Sequence, residues 1–195
     1  MKKLILLFLL INSIGLKSQN LTLKIDSFYS KVIDENSNFV KYNLVKKNQE
    51  SLQSIISEIE AIEWENQGVN FKSSSWINLY NLHVINKIAK KYPIESVTNL
   101  PDFFDDPFVK LGTRKLSLNE LESEIRFNAN DARIHFALVC GAKSCPPLFN
   151  KAFTEENFNS QLDFISKFAL KKEHVIKLDE ETNTLYLNQI FNWYA

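Results

Sequence analysis

The chain has 195 residues, of which 45% are hydrophobic, and this is enough for one domain with an apolar core. Its 15 Phe and 4 Gly do not match the composition of a low-complexity or loop-rich protein. The 23 basic and 23 acidic residues balance, so no strongly basic face is expected and nucleic acid is not an expected partner.

The first residues have the pattern of a secretory signal peptide. Lys2 and Lys3 precede an apolar run, Leu4 to Ile11, which is shorter than the roughly 20 residues that span a bilayer. We predict that residues 1–18 form the signal peptide and that 19–195 form the mature, secreted or periplasmic domain, with no stable membrane span. The alternative is that the segment is retained as an anchor.

The spacing of apolar residues predicts the secondary structure of the rest of the chain. Intervals of three and four favour amphipathic helices, while short β-branched or alternating runs favour strands. On these grounds helices are predicted at 21–33, 44–63, 75–91, 117–125 and 154–170, hairpins at 108–116 and 175–187, and a buried strand at 134–139. Ser73 to Ser75 offer an N-cap for the third helix, and Ser117 with Glu120 forms a capping box for the fourth.

These elements predict the fold class. Helices and strands are mixed without the regular alternation of a doubly wound sheet. We therefore expect an α+β fold: a single domain with several helices packed on a small, mainly antiparallel sheet.

The segment 133–147 holds both cysteines of the chain and one of its three histidines. On a regular strand His135 and Cys140 would point to opposite faces, although Gly141 allows the chain to bend after Cys140. Pro146 suits the first position of a helix, which would place Cys145 at a helix N-terminus, where the pKa of a thiol falls.

Three interpretations of this segment remain open on residue chemistry. One is a thiol nucleophile activated by His135. The second is a disulfide between Cys140 and Cys145, and the third is a pair of buried thiols beside a structural histidine. No metal site or cofactor is predicted, because the chain has only three histidines and no second cysteine pair.

A second segment, Trp76 to Asn81, lies on the third predicted helix. Asn78 and Asn81 are three residues apart and share one helix surface next to apolar side chains. Amides in such a place are costly unless each finds a partner. They either line a cleft, orient an imidazole or donate to an oxyanion, or they tie down neighbouring backbone. His83 and His174 are interpreted as surface or boundary residues.

Together the two segments resemble the family DUF547, a domain of unknown function. Its members are similar to Trp76 to Asn81, Arg133 to Leu138 and Cys140 to Pro146 of this chain, and the resemblance covers roughly residues 39–194. It implies that Glu122, on the preceding helix, is the carboxylate partner of the histidine, and it favours Cys140 as the functional thiol. Family domains usually continue past the Trp-Tyr pair near residue 194, so a C-terminally shortened domain is expected.

The resulting hypothesis is a thiol-dependent hydrolase or acyltransferase acting on peptide or amide bonds outside the cytoplasm. Its catalytic residues would be Cys140 as nucleophile, His135 as base and Glu122 as the group that orients the imidazole. The residues expected to bind substrate or support the site are Asn78, Asn81, Arg133 and Cys145. The alternatives are a non-enzymatic domain that binds a peptide or protein and carries a structural Cys140–Cys145 disulfide, and a degenerate copy without activity.

Overall fold

The computed structural model describes residues 19–142 and 145–193, so the predicted signal peptide lies outside the described residues. The helices are α1 at 19–32, α2 at Tyr42–Lys47, α3 at Gln49–Glu60, α4 at Val69–Lys91, α5 at Leu118–Ala129, α6 at Phe158–Leu170 and α7 at Ile190–Trp193. Strands β1 (Val109–Leu111) and β2 (Arg114–Leu116) form one antiparallel hairpin, and β3 (Ile176–Asp179) and β4 (Thr184–Leu187) form another. The predicted single-domain α+β fold is confirmed.

Helix α4 is the centre of the core. It packs against α2, α3 and α5, and every residue from Trp76 to Ile85 along it is buried. It begins at Val69 after Gly68, earlier than the predicted start at Ser73 to Ser75. The predicted cap was wrong because a serine inside a helix can donate its hydroxyl hydrogen to a backbone carbonyl of the preceding turn. Here the Ser74 hydroxyl donates to the Phe71 carbonyl 3.1 Å away.

The predicted helix at 44–63 is two helices, α2 and α3, joined at Asn48. The Asn48 side chain donates to the Leu44 carbonyl at 2.9 Å, and its own backbone conformation (φ −111°, ψ 25°) is not helical. An asparagine competes for backbone hydrogen bonds in this way and interrupts the helix. The apolar face predicted for α3 is nevertheless buried, through Leu52, Ile55 and Ile59 among others.

The capping box that starts α5 is confirmed. The Ser117 hydroxyl accepts from the Glu120 N–H at 3.1 Å, and the Glu120 carboxylate accepts from the Ser117 N–H at 2.7 Å. Leu118, Leu121 and Ile125 then face the core at helical spacing. The helix ends at Asn130, whose positive φ of 48° is typical of an asparagine C-cap.

The two hairpins also lie where the sequence predicts them, but they differ in burial. In the first, the inward-facing Val109, Leu111 and Leu116 are buried. In the second, the cross-strand partners Leu178 and Leu185 are both more than half exposed. The first hairpin therefore belongs to the core, while the second lies at its surface.

The predicted strand at 134–139 is wrong. Residues Ala132–Phe136 form a 3-10 helix, which begins because the Asp131 carboxylate accepts the Arg133 N–H at 2.9 Å. Ile134 and Ala137, three residues apart, are both buried, as a period of three requires. An N-cap followed by this spacing outweighed the β propensity of a short apolar run.

No helix begins at Pro146. Residues 146–149 are irregular, and the next helix, α6, starts only at Phe158. Cys145 is therefore not at a helix N-terminus, and this part of the sequence interpretation is also wrong. Within 19–142 and 145–193, no helix combines the length and the apolar character that crossing a membrane would require.

Candidate functional site

Cys140 and Cys145 are joined by a disulfide, with their Cα atoms 6.3 Å apart. These are the two cysteines of the chain, so in this state neither is a free thiol. Of the three interpretations of segment 133–147, the disulfide is the one present in the structure. The hypothesis of a Cys140 nucleophile requires that this bond first be reduced.

Gly141 brings the disulfide turn against the core helix. Its φ of 78° lies in the region that favours glycine. A Cβ atom at this position would lie 2.5 Å from Ile88 Cδ1 and 3.2 Å from Val97 Cγ1. Glycine is therefore favoured at position 141 both by the backbone conformation of the turn and by close packing against Ile88 of α4.

Asn81 fixes the chain just before the disulfide. Its side-chain nitrogen donates to the Ala137 carbonyl at 2.9 Å, and its oxygen accepts the Val139 N–H at 3.0 Å. The side chain is 2% exposed, so these bonds lie in the interior. Asn81 thus performs for an irregular segment the pairing that a neighbouring strand performs in a sheet.

Asn78 does the same for the chain after the disulfide. Its nitrogen donates to the Phe153 carbonyl at 2.8 Å and its oxygen accepts the Phe153 N–H at 2.9 Å. Both asparagines therefore tie down backbone, which is one of the two interpretations that the sequence left open. They anchor the two ends of the segment that contains the disulfide.

The backbone on either side of Phe153 is held by side chains as well. The Ala152 N–H donates to Asp26 of α1 at 2.7 Å, and the Ala152 carbonyl accepts from Gln161 of α6 at 2.8 Å. The oxygen of the same Gln161 side chain accepts the Thr154 N–H at 2.9 Å. Residues 152–154 form a wall of backbone whose hydrogen-bond partners come from three helices, α1, α4 and α6.

Arg133 fastens the 3-10 helix to α6. Its guanidinium donates to Asp131 through Nε at 3.0 Å, to Asp163 at 2.5 Å and to the Asn159 side chain at 3.1 Å. The Asp131 carboxylate raises the pKa of Arg133, and the same pairing lowers the pKa of Asp131. Arg133 therefore cross-links the 3-10 helix and α6, and its role in a site stays a prediction.

The 3-10 helix that carries His135 packs on α5, the helix of Glu122. Both side chains are half-buried. Burial and the positive charge of Arg126 lower the pKa of His135 to about 4, so its imidazole is neutral near pH 7. The structure brings the elements of His135 and Glu122 together, and it ties Cys140, four residues beyond Phe136, into the disulfide.

His83 is a buried residue that the sequence analysis placed at the surface or boundary, and that prediction was wrong. It is 4% exposed because α4 is enclosed on all sides, and its Nε2 lies 3.1 Å from the Glu60 carboxylate. The Lys110 N–H donates to the same carboxylate at 3.0 Å. Burial raises the pKa of Glu60, but these hydrogen bonds and charges outweigh it, and the net pKa is lowered. The pair joins α3, α4 and β1.

A cleft of about 670 Å³, named here the α1/α4 cleft, opens beside the wall at 152–154. It lies between α1, the end of α3 with the loop after it, the first half of α4, and residues 153–155. Asn78 lines it, so the Trp76 to Asn81 motif also builds this surface. No local pattern in the sequence predicts the cleft, because its lining comes from four separated segments.

A second cleft, of about 550 Å³, lies around Lys87 and the loop 100–107. The Lys87 ammonium donates to the carbonyls of Asp102 and Phe103 and lies over the ring of Phe108 at 4.6 Å. Burial lowers the pKa of Lys87, against the raising effect of the loop aspartates. Lys87 is thus already engaged with the protein itself. In the described part of the chain, no three His, Cys, Asp or Glu side chains are grouped so that they could hold a metal ion.

Comparison with known proteins gives one match. The family described as "Protein of unknown function, DUF547" matches residues 65–167, more than half of the chain. This range contains α4 with Asn78 and Asn81, the 3-10 helix, the disulfide and the wall at 152–154. No curated protein and no solved structure matches the chain.

Proposed function

The chain belongs to the DUF547 family, and from that premise we propose that it is an exported domain that binds a peptide or protein ligand, with Cys140–Cys145 as a structural disulfide. The observation that carries the proposal is the set of contacts that the motif residues make. Asn78, Asn81 and the disulfide all act on one segment of backbone, which is fixed at Ala137 and Val139 and again at Phe153.

The anchored segment supports binding because it forms a preformed wall of a cleft. Five backbone groups of residues 152–154 are paired with the side chains of Asp26, Asn78 and Gln161. A wall held in this way loses little conformational freedom when a ligand binds, and preorganisation is a main determinant of affinity. The α1/α4 cleft has the volume of typical ligand sites, which run from about 300 to 1,000 Å³.

Export supports the disulfide. Lys2 and Lys3 followed by the apolar run Leu4 to Ile11 are typical of a secretory signal peptide. Beyond the cytoplasm the environment is oxidising, and a disulfide between cysteines five positions apart is retained there. We therefore propose a secreted or periplasmic location for the protein.

A second candidate, the thiol-dependent hydrolase or acyltransferase, is favoured by one observation: the 3-10 helix that carries His135 packs on α5, the helix of Glu122. A dithiol reductant would first have to cleave the disulfide. Cys140 Sγ would then attack the amide carbon while His135, oriented by Glu122, takes the thiol proton. The imidazolium would return this proton to the leaving nitrogen as the C–N bond breaks, and water would hydrolyse the thioester.

The experiment that separates the two candidates is a thiol count by mass spectrometry on the exported protein. The protein is alkylated with iodoacetamide under denaturing conditions, with and without prior reduction. The binding proposal expects no adduct without reduction and two adducts after it. Cys145→Ser is the matched control and should give one adduct in both conditions. Two adducts on each wild-type molecule without reduction, which would show that Cys140 and Cys145 are free thiols, would contradict the proposal and support the enzyme.

A further inference from the structure

We propose that the α1/α4 cleft binds a peptide segment in which an apolar side chain lies next to a lysine or an arginine. This inference rests on the proposed binding function and names the class of ligand. It is carried by the distribution of apolar and charged side chains around the cleft.

The floor of the cleft is apolar. Its side chains come from α1, α3, the following loop, α4 and the anchored wall, and they are Leu21, Ile25, Ile59, Ile62, Phe71 and Phe153. Removing an apolar side chain from water onto such a floor supplies most of the driving force for association. The floor therefore selects a ligand with at least one large apolar group.

The rim of the cleft is acidic. Among residues 19–142 and 145–193, its charged lining residues are Glu58, Glu63 and Glu155, and none of these described lining residues is a lysine or an arginine. Glu58 is neutralised by Lys24, whose Nζ lies 2.6 Å from the carboxylate. Glu63 and Glu155 are exposed, and neither makes a side-chain hydrogen bond or ion pair with the described residues.

The two unpaired carboxylates are not equivalent. An oxygen of Glu155 lies beside Gly68, the N-cap of α4, only 3.3 Å from where a Cβ would be. The positive end of the helix dipole there offsets part of its charge. Glu63 has no such neighbour among the described residues of the cleft rim, so we expect it to contribute more to the recognition of a cation. A rim of this sign favours cationic ligands and disfavours anionic ones.

The test uses the full chain and three C-terminally amidated tripeptides that carry a fluorescent label on the N-terminal amine: Leu-Lys-Phe, Leu-norleucine-Phe and Leu-Glu-Phe. Fluorescence polarisation should show the lysine peptide binding about fivefold more tightly than the norleucine peptide, the gain expected from one or two partly exposed ion pairs. The glutamate peptide should bind more weakly than both. Raising the salt concentration should remove the advantage of lysine.

Two pairs of substitutions locate the effect. Glu63→Gln with Glu155→Gln should bring the lysine peptide to the affinity of the norleucine peptide. Glu65→Gln with Glu156→Gln is the matched control, because these residues are also exposed and lie outside the cleft lining. All four positions are at the surface, so both variants are expected to fold. Ser75→Trp, which places a large side chain in the cleft, should weaken all three peptides.

Several outcomes would overturn the inference. One is equal affinity for the lysine and glutamate peptides, and another is an equal loss of affinity in the control pair. Peptide-independent dimerisation that Ser75→Trp removes would identify a second copy of the chain as the occupant. Failure of all three peptides to bind would also overturn this ligand class, whereas the thiol count decides the proposed function separately.

Discussion

Replacing Asn81 with alanine should destabilise the protein far more than the loss of an ordinary surface amide. The substitution removes both bonds to the segment before the disulfide, at 2.9 and 3.0 Å. It leaves the Ala137 carbonyl buried without its partner and the Val139 N–H partly buried without its own. A stranded buried polar group costs about 1–3 kcal/mol, so we expect a loss of about 3 kcal/mol in the free energy of unfolding.

The assay is urea denaturation followed by tryptophan fluorescence, which the chain's three tryptophans allow. With a slope of about 2 kcal/mol per molar urea, the midpoint should fall by about 1.5 M. Asn119→Ala is the matched control, because Asn119 donates to Asp105 at 2.8 Å on the exposed surface. It should shift the midpoint by less than about 0.3 M. If Asn81→Ala and Asn119→Ala unfold at the same urea concentration, Asn81 does not anchor the segment.

Three further predictions concern the same corner of the molecule. The double substitution Cys140→Ala with Cys145→Ala should lower the free energy of unfolding by about 2 kcal/mol, as loop entropy predicts for so short a loop. A reductant should lower the free energy of unfolding of the wild type by the same amount and leave that of the variant unchanged. Gly141→Ala should cost at least about 1 kcal/mol, since it adds a side chain at φ 78° and 2.5 Å from Ile88; equal thermal stability of variant and wild type would contradict this packing. His135 keeps its proton less readily in the folded protein, with a pKa of about 4 against 6.5, so stability should be complete above pH 6.5 and fall as the pH drops toward 4. Because His135 is only half-buried, we expect the free energy of unfolding to fall by about 1–2 kcal/mol over that pH range. In urea denaturation at a series of pH values, His135→Gln should remove most of this fall in stability. If the variant loses as much stability as the wild type, His135 is not its cause.

Local signals in the sequence were sufficient for much of the fold. The box of Ser117 and Glu120 starts α5 as predicted, and apolar spacing identified the buried face of α3. Each of these signals acts over three or four residues, and packing in the core does not override it. The boundaries at Asn48 and Gly68 were missed because they depend on how a single polar residue satisfies its neighbours.

The segment at 133–139 shows where such reasoning fails. Its apolar run suits a buried strand, but within the described residues no strand pairs with it. Asn81, 56 positions earlier in the chain, supplies hydrogen bonds that a neighbouring strand would otherwise supply. A hydrogen bond between residues so far apart in the chain cannot be predicted from a local sequence pattern. A strand prediction assumes that the backbone of another strand supplies the hydrogen bonds, whereas here a side chain supplies them. The hydrogen bonds between Asn78 and the backbone of Phe153 could not be predicted for the same reason.

The candidate site was anticipated in part. The sequence offered a disulfide between Cys140 and Cys145 and backbone-tying asparagines among its alternatives, and the structure contains both. The opposite-face difficulty for His135 and Cys140 does not arise, because the 3-10 helix abolishes the alternation of a strand. The α1/α4 cleft could not be foreseen, since it exists only once four separated segments are packed together.

The rate at which iodoacetamide alkylates the reduced protein, measured from pH 5 to 9, tests the central claim most directly. If Cys140 and Cys145 serve only as a structural cross-link, both thiols should react with an ordinary pKa of about 8.5 and at similar rates, and His135→Gln should change neither. A Cys140 thiolate that persists below pH 7, reacts much faster than Cys145 and loses this advantage in His135→Gln would contradict the claim. It would instead identify Cys140 and His135 as a catalytic pair.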